Sequence, residues 1–195
     1  MDISIRIGGA AGQGIQTISS IIARTFVRHG YYVFINQDFA SRIRGGHNFD
    51  QVRISNAPVR AAADRAHILI ALDKETTNRD IGSLAKYGIL LFDADAIDFT
   101  SDDPNHLSIP FVKIASEAGK NKMMVNSVAT GAAMALLDFD LDPVLDCLQE
   151  QFQQKGSANT ATVLSSMSLS MLSGLSSSAN LSSMPCLGSM CANRV

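Results

Sequence analysis

The sequence predicts an α/β protein, a three-layer α/β/α domain whose mainly parallel sheet is opened by a βαβ unit. Three observations support this prediction. Short apolar runs alternate along the chain with segments of helical spacing, as in proteins whose helices cover a parallel sheet. Glycine, proline and aspartate separate these segments. The length of 195 residues suits one compact domain with a sizeable core.

The composition indicates a globular chain without a strong bulk charge. Hydrophobic residues make up 46%, charged residues 17%, and the formal net charge is −2. We therefore expect neither nucleic acid nor an anionic membrane as a partner. No apolar run approaches the ~18 residues of a membrane span. The opening residues MDISIR lack the basic region and apolar stretch of a secretion signal, so we expect a cytoplasmic location.

The cysteines do not have the spacing of a metal site. Cys147, Cys186 and Cys191 form no CxxC pair, and no two of the four histidines have ligand spacing. A structural zinc or iron–sulfur site needs four soft ligands in close groups. We expect no metal site on this chain and interpret the cysteines as inert thiols.

The amino-terminal segments predict a strand, a glycine loop, a helix and a second strand. Ile3–Ile7 is a short isoleucine-rich run that ends at the glycines, which indicates a strand. A helix is expected over Ile15–Arg28, with Gly30 as its carboxyl-terminal cap. Tyr31–Ile35 is almost entirely apolar and predicts a second, buried strand, which completes a right-handed βαβ unit with parallel strands. The helix has apolar residues at Ile15, Ile18, Ile22 and Phe26.

A polar loop and an alternating strand follow. We predict Asn36–His47 as the loop and Phe49–Ile54 as the strand, because apolar and polar side chains alternate along the second segment. The turn residues of Asn56–Pro58 come next. The apolar face of this strand carries Val52 and Ile54, and the polar face carries Gln51 and Arg53.

The next segments predict a strand, a helix and another strand. Ile68–Leu72 is a buried strand by its apolar run. Asp73 is a suitable cap for a helix that runs to about Tyr87 and ends at Gly88. Ile89–Phe92 is again apolar and predicts a strand.

The carboxyl-terminal half of the domain is predicted to be mostly helical. Asp93–Asp95 is expected to turn, Thr100–Leu107 to be a polar loop, and Phe111–Lys113 to be a short edge strand. Ser127–Leu137 is rich in alanine and predicts a helix. Asp142-Pro143 marks a further helix start, a capping residue followed by proline. The apolar stripe of that last helix consists of Val144, Leu145, Leu148 and Phe152.

The composition changes after about Gly156. We assign residues 1–156 to the α/β domain and residues 157–195 to an atypical tail rich in serine, methionine and leucine. We expect this tail to be poorly ordered or dependent on a partner. Its apolar residues Leu164, Met167, Met171 and Leu175 also have the spacing of one helix face.

A glycine-rich stretch, RIGGAAGQG over Arg6–Gly14, is the first candidate site. The backbone N–H groups of such a turn, at the amino end of a helix, suit a phosphate or carboxylate. The alternative is a tight turn whose glycines only permit close packing. Neither nucleotide motif is satisfied: the spacing Gly9-x-x-Gly12-x-Gly14 inverts the Rossmann fingerprint, with Asp38 slightly late for its acidic residue. A P-loop would need lysine after the last glycine, where this chain has isoleucine.

A second candidate stretch, SRIRGGHN, spans Ser41–Asn48. Arg42 and Arg44 have guanidinium groups that match phosphate and carboxylate geometry, and the pair Gly45-Gly46 allows a sharp bend or a close approach to a ligand. We expect this loop and the glycine loop to open on the same edge of the sheet. The alternative is a solvated loop with weak surface ion pairs. For His47 a structural hydrogen bond is expected rather than acid–base chemistry.

Three aspartates follow predicted strands. Asp73, Asp93 and Asp95 are possible ligands by position, but aspartates at strand ends are usually helix caps, and we interpret them so.

Taken together, IRIGGAAGQGI and SRIRGGHNFDQVRIS resemble the gamma component of the 2-oxoacid:acceptor (ferredoxin) oxidoreductases. The resemblance extends from Ile3 to about Gly156, with weaker agreement at ADRAHILIALD and KMMVNSVATGA. It implies an α/β domain that packs against alpha and beta subunits or domains. Those enzymes oxidatively decarboxylate a 2-oxoacid, transfer the acyl group to coenzyme A, and pass electrons through iron–sulfur clusters to ferredoxin.

The resemblance also implies which groups belong to partners. The chain lacks the G-D-G motif with paired asparagines that holds thiamine pyrophosphate and magnesium, and it lacks cysteine groups for clusters. We therefore expect those cofactors on partner subunits and assign no catalytic or metal-binding residue here. Coenzyme A is the candidate ligand of this chain, and SRIRGGHN favours a 2-oxoglutarate-type enzyme over pyruvate-type relatives. The candidate cofactor-binding residues are Gly9, Gly12, Gln13, Gly14, Arg42, Arg44, Gly45, Gly46 and His47.

Two other functions remain open at this stage. A self-contained dinucleotide-binding or redox-sensing module would use Gly9–Gly14 for pyrophosphate and Asp38 for ribose. A structural adaptor would use its glycines for packing alone. The tail departs from the family pattern, in which a charged helical segment is expected, so it is either an unusual end, the end of a fragment, or the product of a shifted reading frame.

Overall fold

The computed structural model describes residues 1–39, 47–119 and 124–154. The sequence predictions for Arg42, Arg44, Gly45 and Gly46, and for the tail from residue 157, lie outside this range. The strands are β1 (Asp2–Gly9), β2 (Tyr32–Phe39), β3 (Asn48–Ser55), β4 (Ala66–Ala71), β5 (Leu84–Phe92) and β6 (His106–Ser108). The helices are α1 (Ile15–Arg28), α2 (Lys74–Asp80), α3 (Ala94–Ile97), α4 (Phe111–Gly119), α5 (Val125–Leu136) and α6 (Asp142–Gln154).

The chain divides into two compact units, Met1–Pro110 and Phe111–Val195. All six strands of the described residues belong to the first unit and form one sheet. The described helices of the second unit are α4, α5 and α6. This division falls inside the range 1–156 that the sequence analysis assigned to one domain, and that assignment stays a prediction.

The sheet is mostly parallel, as predicted, with the order β2-β3-β1-β4-β5-β6. Strand β3 runs antiparallel to both neighbours, and β1, β4, β5 and β6 are parallel. The βαβ unit is therefore split, since β3 lies between β1 and β2. As a result β2 is an edge strand, and the prediction that it is buried was wrong: Tyr32 and Phe39 are 50% and 53% exposed.

Helices α1 and α2 lie on opposite faces of the sheet. Ile7 and Asp50 are partners in the β1–β3 pair, and Asp50 accepts a hydrogen bond from Ser19 of α1. Arg6, the neighbour of Ile7 in the strand, points to the other face and contacts Asp80 of α2. Successive side chains of a strand alternate between faces, so the unit Met1–Pro110 alone has three layers. The α1 face buries Ile3, Ile5, Ile7, Val52 and Ile54, and the α2 face buries Leu69, Ala71, Leu90 and Phe92.

The helix predicted from Asp73 to Tyr87 was too long. Helix α2 ends at Asp80, one turn of 3₁₀ helix covers Ile81–Ser83, and β5 begins at Leu84. Strand β5 pairs in parallel with β4 at Leu84 and again at Ile89–Phe92, with a register shift between these pairs. Near this irregularity, Gly88 lets the backbone carbonyl of Ala66 approach closely.

Three further segments differ from the sequence predictions. Asn36–Phe39 continues β2 because it pairs with β3. Within the loop predicted at Thr100–Leu107, His106 begins β6, which pairs with the end of β5. Phe111–Lys113 opens helix α4 rather than an edge strand, with Phe111 and Ala115 buried at the i, i+4 spacing of one helix face.

The other predicted elements agree with the structure. The strand and helix ends at Gly9, Ile15 and Arg28 lie within two residues of the predicted bounds. Helix α5 and the start of α6 at Asp142 also match. In α6 the predicted stripe residues Val144 and Leu148 are buried.

Candidate functional site

The glycine turn between β1 and α1 depends on two residues in left-handed backbone conformation. Gly12 has φ 91° and Gly14 has φ 85°, values that L side chains rarely adopt. The Gln13 side chain fixes the turn: its Oε1 accepts from the backbone N of Ala10 at 2.6 Å, and its Nε2 donates to the carbonyl of Leu72 at 3.1 Å. Gln13 therefore ties the turn to the end of β4.

The amino end of α1 carries no negative side chain. Gly14 is the capping residue, no side chain caps the helix, and its first turn contains no acidic residue. The carbonyl of Gly14 accepts from Thr17 N and Ile18 N, whereas the N–H groups that precede them, at the start of a helix, have no carbonyl of the helix to bond to. The positive end of the helix dipole is thus available to an anion.

The glycine turn and the residues flanking positions 40–46 lie at the same edge of the sheet, the one formed by the carboxyl ends of β1 and β2 and the start of β3. Gly9 is paired with Asn48 in β3, and Asn48 is paired with Phe39 in β2. The sequence predicted that the loop carrying Arg42–His47 opens on this edge. The flanking residues Phe39 and Asn48 lie there, but Arg42, Arg44, Gly45 and Gly46 are outside the described residues, so their placement stays a prediction. A cleft of about 420 Å³ opens there. Its walls include Gly12, Gly14, Gln16, Thr17, Phe39 and Asn48.

A buried hydrogen-bond group supports this cleft from the α1 side. The Asp50 carboxylate is fully buried and accepts from Ser19 Oγ at 2.5 Å and from Gln37 Nε2 at 3.0 Å. These bonds join α1, β3 and β2 near their cleft ends. The second carboxylate oxygen, Oδ1, has no hydrogen-bond partner in the described part of the chain.

Two glycines of the Arg6–Gly14 stretch, Gly9 of the predicted site and its neighbour Gly8, serve packing. A Cβ on Gly9 would lie 2.6 Å from Gln13 Oε1 and 3.0 Å from Leu72 Cβ. A Cβ on Gly8 would collide with the Thr76 side chain and come within 3.1 Å of His47 Cε1. Both packing and an open helix end therefore account for the glycine content of this stretch.

His47 lies on the sheet face opposite the cleft. Its Nε2 is 2.7 Å from Asp80 Oδ2, and the two side chains are only 6% and 8% exposed. This is the structural hydrogen bond that the sequence analysis expected, although its partner could not be named. His47 Nδ1 is buried and has no hydrogen-bond partner among the residues described.

Sequence reasoning missed the polar cluster around His47. Arg6 Nη1 is 3.4 Å from Asp80 Oδ1, and Arg6 Nε and Nη2 donate to Gln51 Oε1 at 3.0 and 2.6 Å. The Arg6 guanidinium also lies 4.4 Å from the centre of the Phe49 ring. Arg6 and Asp80 are 74 residues apart in sequence. The one available signal was the alternation of β3, which places Phe49 and Gln51 on one face with His47.

Two of the three strand-end aspartates, Asp73 and Asp93, cap helices as predicted, whereas Asp95, predicted as a cap in a turn at Asp93–Asp95, lies within helix α3. Asp73 Oδ1 accepts from the backbone N and the hydroxyl of Thr76, at 2.8 and 2.7 Å. Asp93 Oδ1 accepts from Ala96 N at 3.2 Å. Asp95 lies in the first turn of α3.

Asp38 is poorly placed for the ribose of a dinucleotide. It is opposite Phe49 in the β2–β3 pair, so its side chain lies on the face away from α1. Strand β3 also separates it from β1 and the glycine turn. The dinucleotide-binding alternative required Asp38 and the glycine turn to lie in the same site, and this geometry disfavours it.

The described residues add three observations about metals, thiols and membranes. Over residues 1–39, 47–119 and 124–154, no group of three His, Cys, Asp or Glu side chains is arranged to hold a metal ion. Cys147 is buried, whereas Cys186 and Cys191 lie outside the described range. None of the helices in that range has the length and apolar character needed to cross a membrane.

Comparison with protein families gives a match over most of the chain. The sequence model of the family described as pyruvate ferredoxin/flavodoxin oxidoreductase matches residues 4–169. The subunit alpha of 2-oxoacid:ferredoxin oxidoreductase from Saccharolobus solfataricus is 38% identical over 76 residues, which is 39% of this chain and 12% of that protein. The 2-oxoglutarate synthase subunit KorC from Methanocaldococcus jannaschii is 28% identical over 137 residues, 68% of this chain and 73% of the relative.

Solved structures have the same fold. The 2-oxoglutarate:ferredoxin oxidoreductase from Magnetococcus marinus, with 2-oxoglutarate, coenzyme A and succinyl-CoA bound, superposes with a TM-score of 0.78 at 24% identity, over 90% of this chain and 31% of that one. The gamma subunit of keto/oxoacid ferredoxin oxidoreductase from Geobacter sulfurreducens gives 0.75 at 22% identity, over 89% and 98%. The match to the alpha relative thus spans about an eighth of its length, whereas the chain covers nearly the whole separate gamma subunit.

Proposed function

We propose that this chain, which belongs to the pyruvate ferredoxin/flavodoxin oxidoreductase family, is the gamma component of a 2-oxoacid:ferredoxin oxidoreductase. In this proposal it assembles with alpha and beta subunits or domains and takes part in handling coenzyme A. The complex would oxidatively decarboxylate a 2-oxoacid to an acyl-CoA and pass electrons to ferredoxin. The observation that carries the proposal is the family match over residues 4–169, combined with an anion-compatible cleft at the glycine turn.

The assembly role is supported by an apolar sheet edge. Three large apolar side chains of edge strand β2, Tyr32, Ile35 and Phe39, are exposed. The strand contains one charged residue, Asp38, and no proline or lysine. Native proteins usually protect such an edge with charge, proline or a covering segment. An edge of this composition favours a chain that works in contact with partners.

The coenzyme A role is supported by the chemistry of the cleft. A phosphate group suits the uncompensated amino end of α1, where Gly14 is the cap. Phe39 offers an exposed aromatic ring at the same cleft, and Thr17 and Asn48 offer polar groups. The volume of about 420 Å³ is within the range of small-molecule clefts. These residues would orient an anionic ligand, while thiamine pyrophosphate, magnesium and iron–sulfur clusters are expected on the partner subunits.

We propose 2-oxoglutarate as the favoured 2-oxoacid. KorC is named as a subunit of 2-oxoglutarate synthase, and the Magnetococcus structure contains 2-oxoglutarate and succinyl-CoA. The motif SRIRGGHN favours the same type. Other relatives are named for other acids, among them the ketoisovalerate oxidoreductase subunit VorA from Methanothermobacter thermautotrophicus. We expect the partner subunits to select the acid.

Reconstitution tests this proposal. The chain is co-expressed with the alpha and beta subunits that we expect to be encoded near its gene, and the tagged chain is purified. We expect the partners to copurify, and the complex to reduce ferredoxin with 2-oxoglutarate in a reaction that requires coenzyme A. Pyruvate and ketoisovalerate, tested as substrates in parallel, report the acid preference. The same reaction without this chain is expected to lose most of its activity.

A charge variant of the sheet edge supplies the matched control for assembly. Phe39→Asp places a carboxylate on the exposed edge of β2, and Tyr87→Asp places one on β5 at a residue of similar exposure, 58%. We expect the first variant to weaken copurification and the second to leave it unchanged. A stable monomer that does not bind the alpha and beta chains would overturn the proposal. Saturable binding of NAD, NADP or FAD to the isolated chain would instead favour a dinucleotide-binding module.

A further inference from the structure

We propose that His47 and Asp80 are positioning residues that hold the two walls of the candidate cleft from the opposite side of the sheet. The inference rests on the proposed function, because it concerns the cleft in which we expect an anionic ligand to bind. It assigns His47 a role away from the ligand, and it gives Asp80 a role in a site that it does not touch.

The direction of the His47 side chain follows from the register of β3. Asn48 is paired with Gly9 and lines the cleft on the α1 side. His47 precedes Asn48, so its side chain points to the other face, where its ring lies over Gly8 and bonds to Asp80. His47 and Asn48 are therefore adjacent in the chain but face opposite sides of the sheet. We call the buried group of His47, Asp80 and Arg6 the anchor; it is joined directly to the cleft wall at Asn48.

The anchor is a buried charged group with several partners. Asp80 accepts from His47 Nε2 at 2.7 Å through one oxygen and from Arg6 Nη1 at 3.4 Å through the other. Arg6 is further held by Gln51 and by the Phe49 ring. Removing one partner from a buried ion pair leaves an uncompensated charge, which is strongly destabilising locally. We therefore expect the side chains of the anchor to hold the positions in which these bonds are formed.

The same segment of chain also holds the glycine turn. The Leu72 carbonyl accepts from Gln13 Nε2, and the Leu72 N–H donates to the Gly8 carbonyl at 3.0 Å. Leu72 leads into α2, whose last residue is Asp80. Residues 72–80 are thus bonded at one end to the glycine turn and at the other to the start of β3.

Gly8 completes this connection. Its lack of a side chain leaves room for Thr76 of α2 and for the His47 ring, which both lie against β1 at that position. Thr76 is fully buried and bonded to the capping residue Asp73, so it cannot move aside easily. Helix α2 is therefore packed directly behind the two cleft walls. Loosening its carboxyl end should widen the separation between Asn48 and the glycine turn.

Two variants and one control test the proposal on the reconstituted complex. Asp80→Asn removes the charge of the anchor, and His47→Ala removes its ring. Asp98→Asn is the matched control, since Asp98 pairs with Lys74 of the same helix but is 98% exposed. We expect the first two to raise the KM for coenzyme A about tenfold, in the range of couplings between connected residues, with kcat and the KM for the 2-oxoacid nearly unchanged. Asp98→Asn should leave all three unchanged.

A rescue variant separates positioning from general stability. The amide nitrogen of His47→Gln can replace Nε2 as the donor to Asp80. We expect it to restore the KM for coenzyme A most of the way from the His47→Ala value. A purely structural role would lower the yield of folded complex in all anchor variants without changing this KM, and that result would overturn the proposal.

Hydrogen exchange provides a readout that does not depend on coenzyme A. In the wild-type chain we expect slow exchange at the hydrogen-bonded amides of the glycine turn, among them Ala10 and Gln13, and at those of residues 48–50. We expect faster exchange at both segments in Asp80→Asn and His47→Ala. Faster exchange at only one segment, or the same acceleration at both segments in the Asp98→Asn control, would contradict the coupling. If the wild type fails to bind coenzyme A while both segments respond together, the proposed ligand is wrong and the positioning role stands.

Discussion

Gly9 lies opposite Asn48 in the antiparallel β1–β3 pair. This pairing brings the glycine turn, in the first part of the chain, to the sheet edge where β2 ends and β3 begins. The pairing is possible because β3 is inserted between β1 and β2. In a simple βαβ unit the two parallel strands would be neighbours. The cleft at the amino end of α1 is a direct result of that insertion, since Phe39 and Asn48 form the wall opposite the turn.

The bare backbone of Gly8 is required for packing, and an alanine there should destabilise the fold. Its methyl group would collide with Thr76, which is buried and bonded to Asp73. We expect Gly8→Ala to lower the free energy of unfolding by about 1–3 kcal/mol, the usual cost of overpacking. Urea denaturation followed by circular dichroism measures it.

The double variant Gly8→Ala with Thr76→Ala is the control for this mechanism. Removing the Thr76 side chain beyond Cβ removes the colliding atoms, so the double variant should lose less stability than the sum of the two single variants. Simple additivity would show that the collision is not the cause.

Gly12 should respond differently, because nothing lies within 4 Å of a Cβ built on it. Gly12→Ala meets only the conformational cost of φ 91°, about 1–2 kcal/mol. Gly12→Asn should cost less, since asparagine tolerates left-handed backbone better than alanine does. Thermal denaturation of the two variants checks this order, and equal losses would argue against a conformational origin.

The cap at Asp73 should contribute more to stability than a single-bond cap does. Its carboxylate accepts two bonds from Thr76, through the backbone N and the hydroxyl. We expect Asp73→Ala to cost about 1–2 kcal/mol, and Asp73→Asn to retain most of that stability because asparagine is also a good cap. Chemical denaturation of both variants measures the difference. Equal losses would mean that capping is not what Asp73 contributes.

His67 should make the fold less stable in mild acid. Burial lowers the pKa of His67 below its ordinary value of 6.5, and the Asp2 carboxylate opposes this only in part. The ring accepts a hydrogen bond from Ser4 N at Nδ1, which requires the neutral form. Because the unfolded chain then binds the proton more tightly than the folded chain, stability falls as the pH drops below about 6.5.

The free energy of unfolding of the wild type and of His67→Asn, measured at about pH 7.5 and about pH 5.5, isolates this effect. Asparagine preserves an acceptor near the Nδ1 position but does not titrate. We expect the loss of stability between the two pH values to be larger in the wild type. An equal loss would assign the acid sensitivity to other groups.

Elements that depend on local sequence were predictable. The apolar spacing of α1, the glycine turn before it and the caps at Asp73 and Asp93 all act within a few residues. The errors arise where distant pairing decides. The segment 84–92 is a strand because β4 pairs with both of its ends, and Tyr31–Ile35 leads into an edge strand because β3, later in the chain, lies between β2 and β1.

Only the glycine-turn part of the candidate site could be predicted from the sequence. The glycine turn and its position at the sheet edge follow from the sequence pattern. The anchor of His47 does not, because Asp80 and Arg6 reach it from positions 33 and 41 residues away in the chain, on a face that only the strand register defines. No local motif marks Asp80 as different from the other aspartates of this chain.

Titration of coenzyme A by calorimetry, into the wild type and into Gln16→Glu, tests the central claim most directly. Gln16 is exposed in the first turn of α1 and lines the cleft. A carboxylate there should stabilise the helix by about 0.3–1 kcal/mol but repel an anionic ligand. Asn78→Asp adds the same charge on the exposed side of α2 and is the control.

We expect saturable binding to the wild type, about tenfold weaker binding to Gln16→Glu, in line with the energy of two charges a few ångströms apart near a surface, and unchanged binding to Asn78→Asp. Equal affinity of the wild type and Gln16→Glu would contradict the account, because the amino end of α1 would then have no part in holding the ligand.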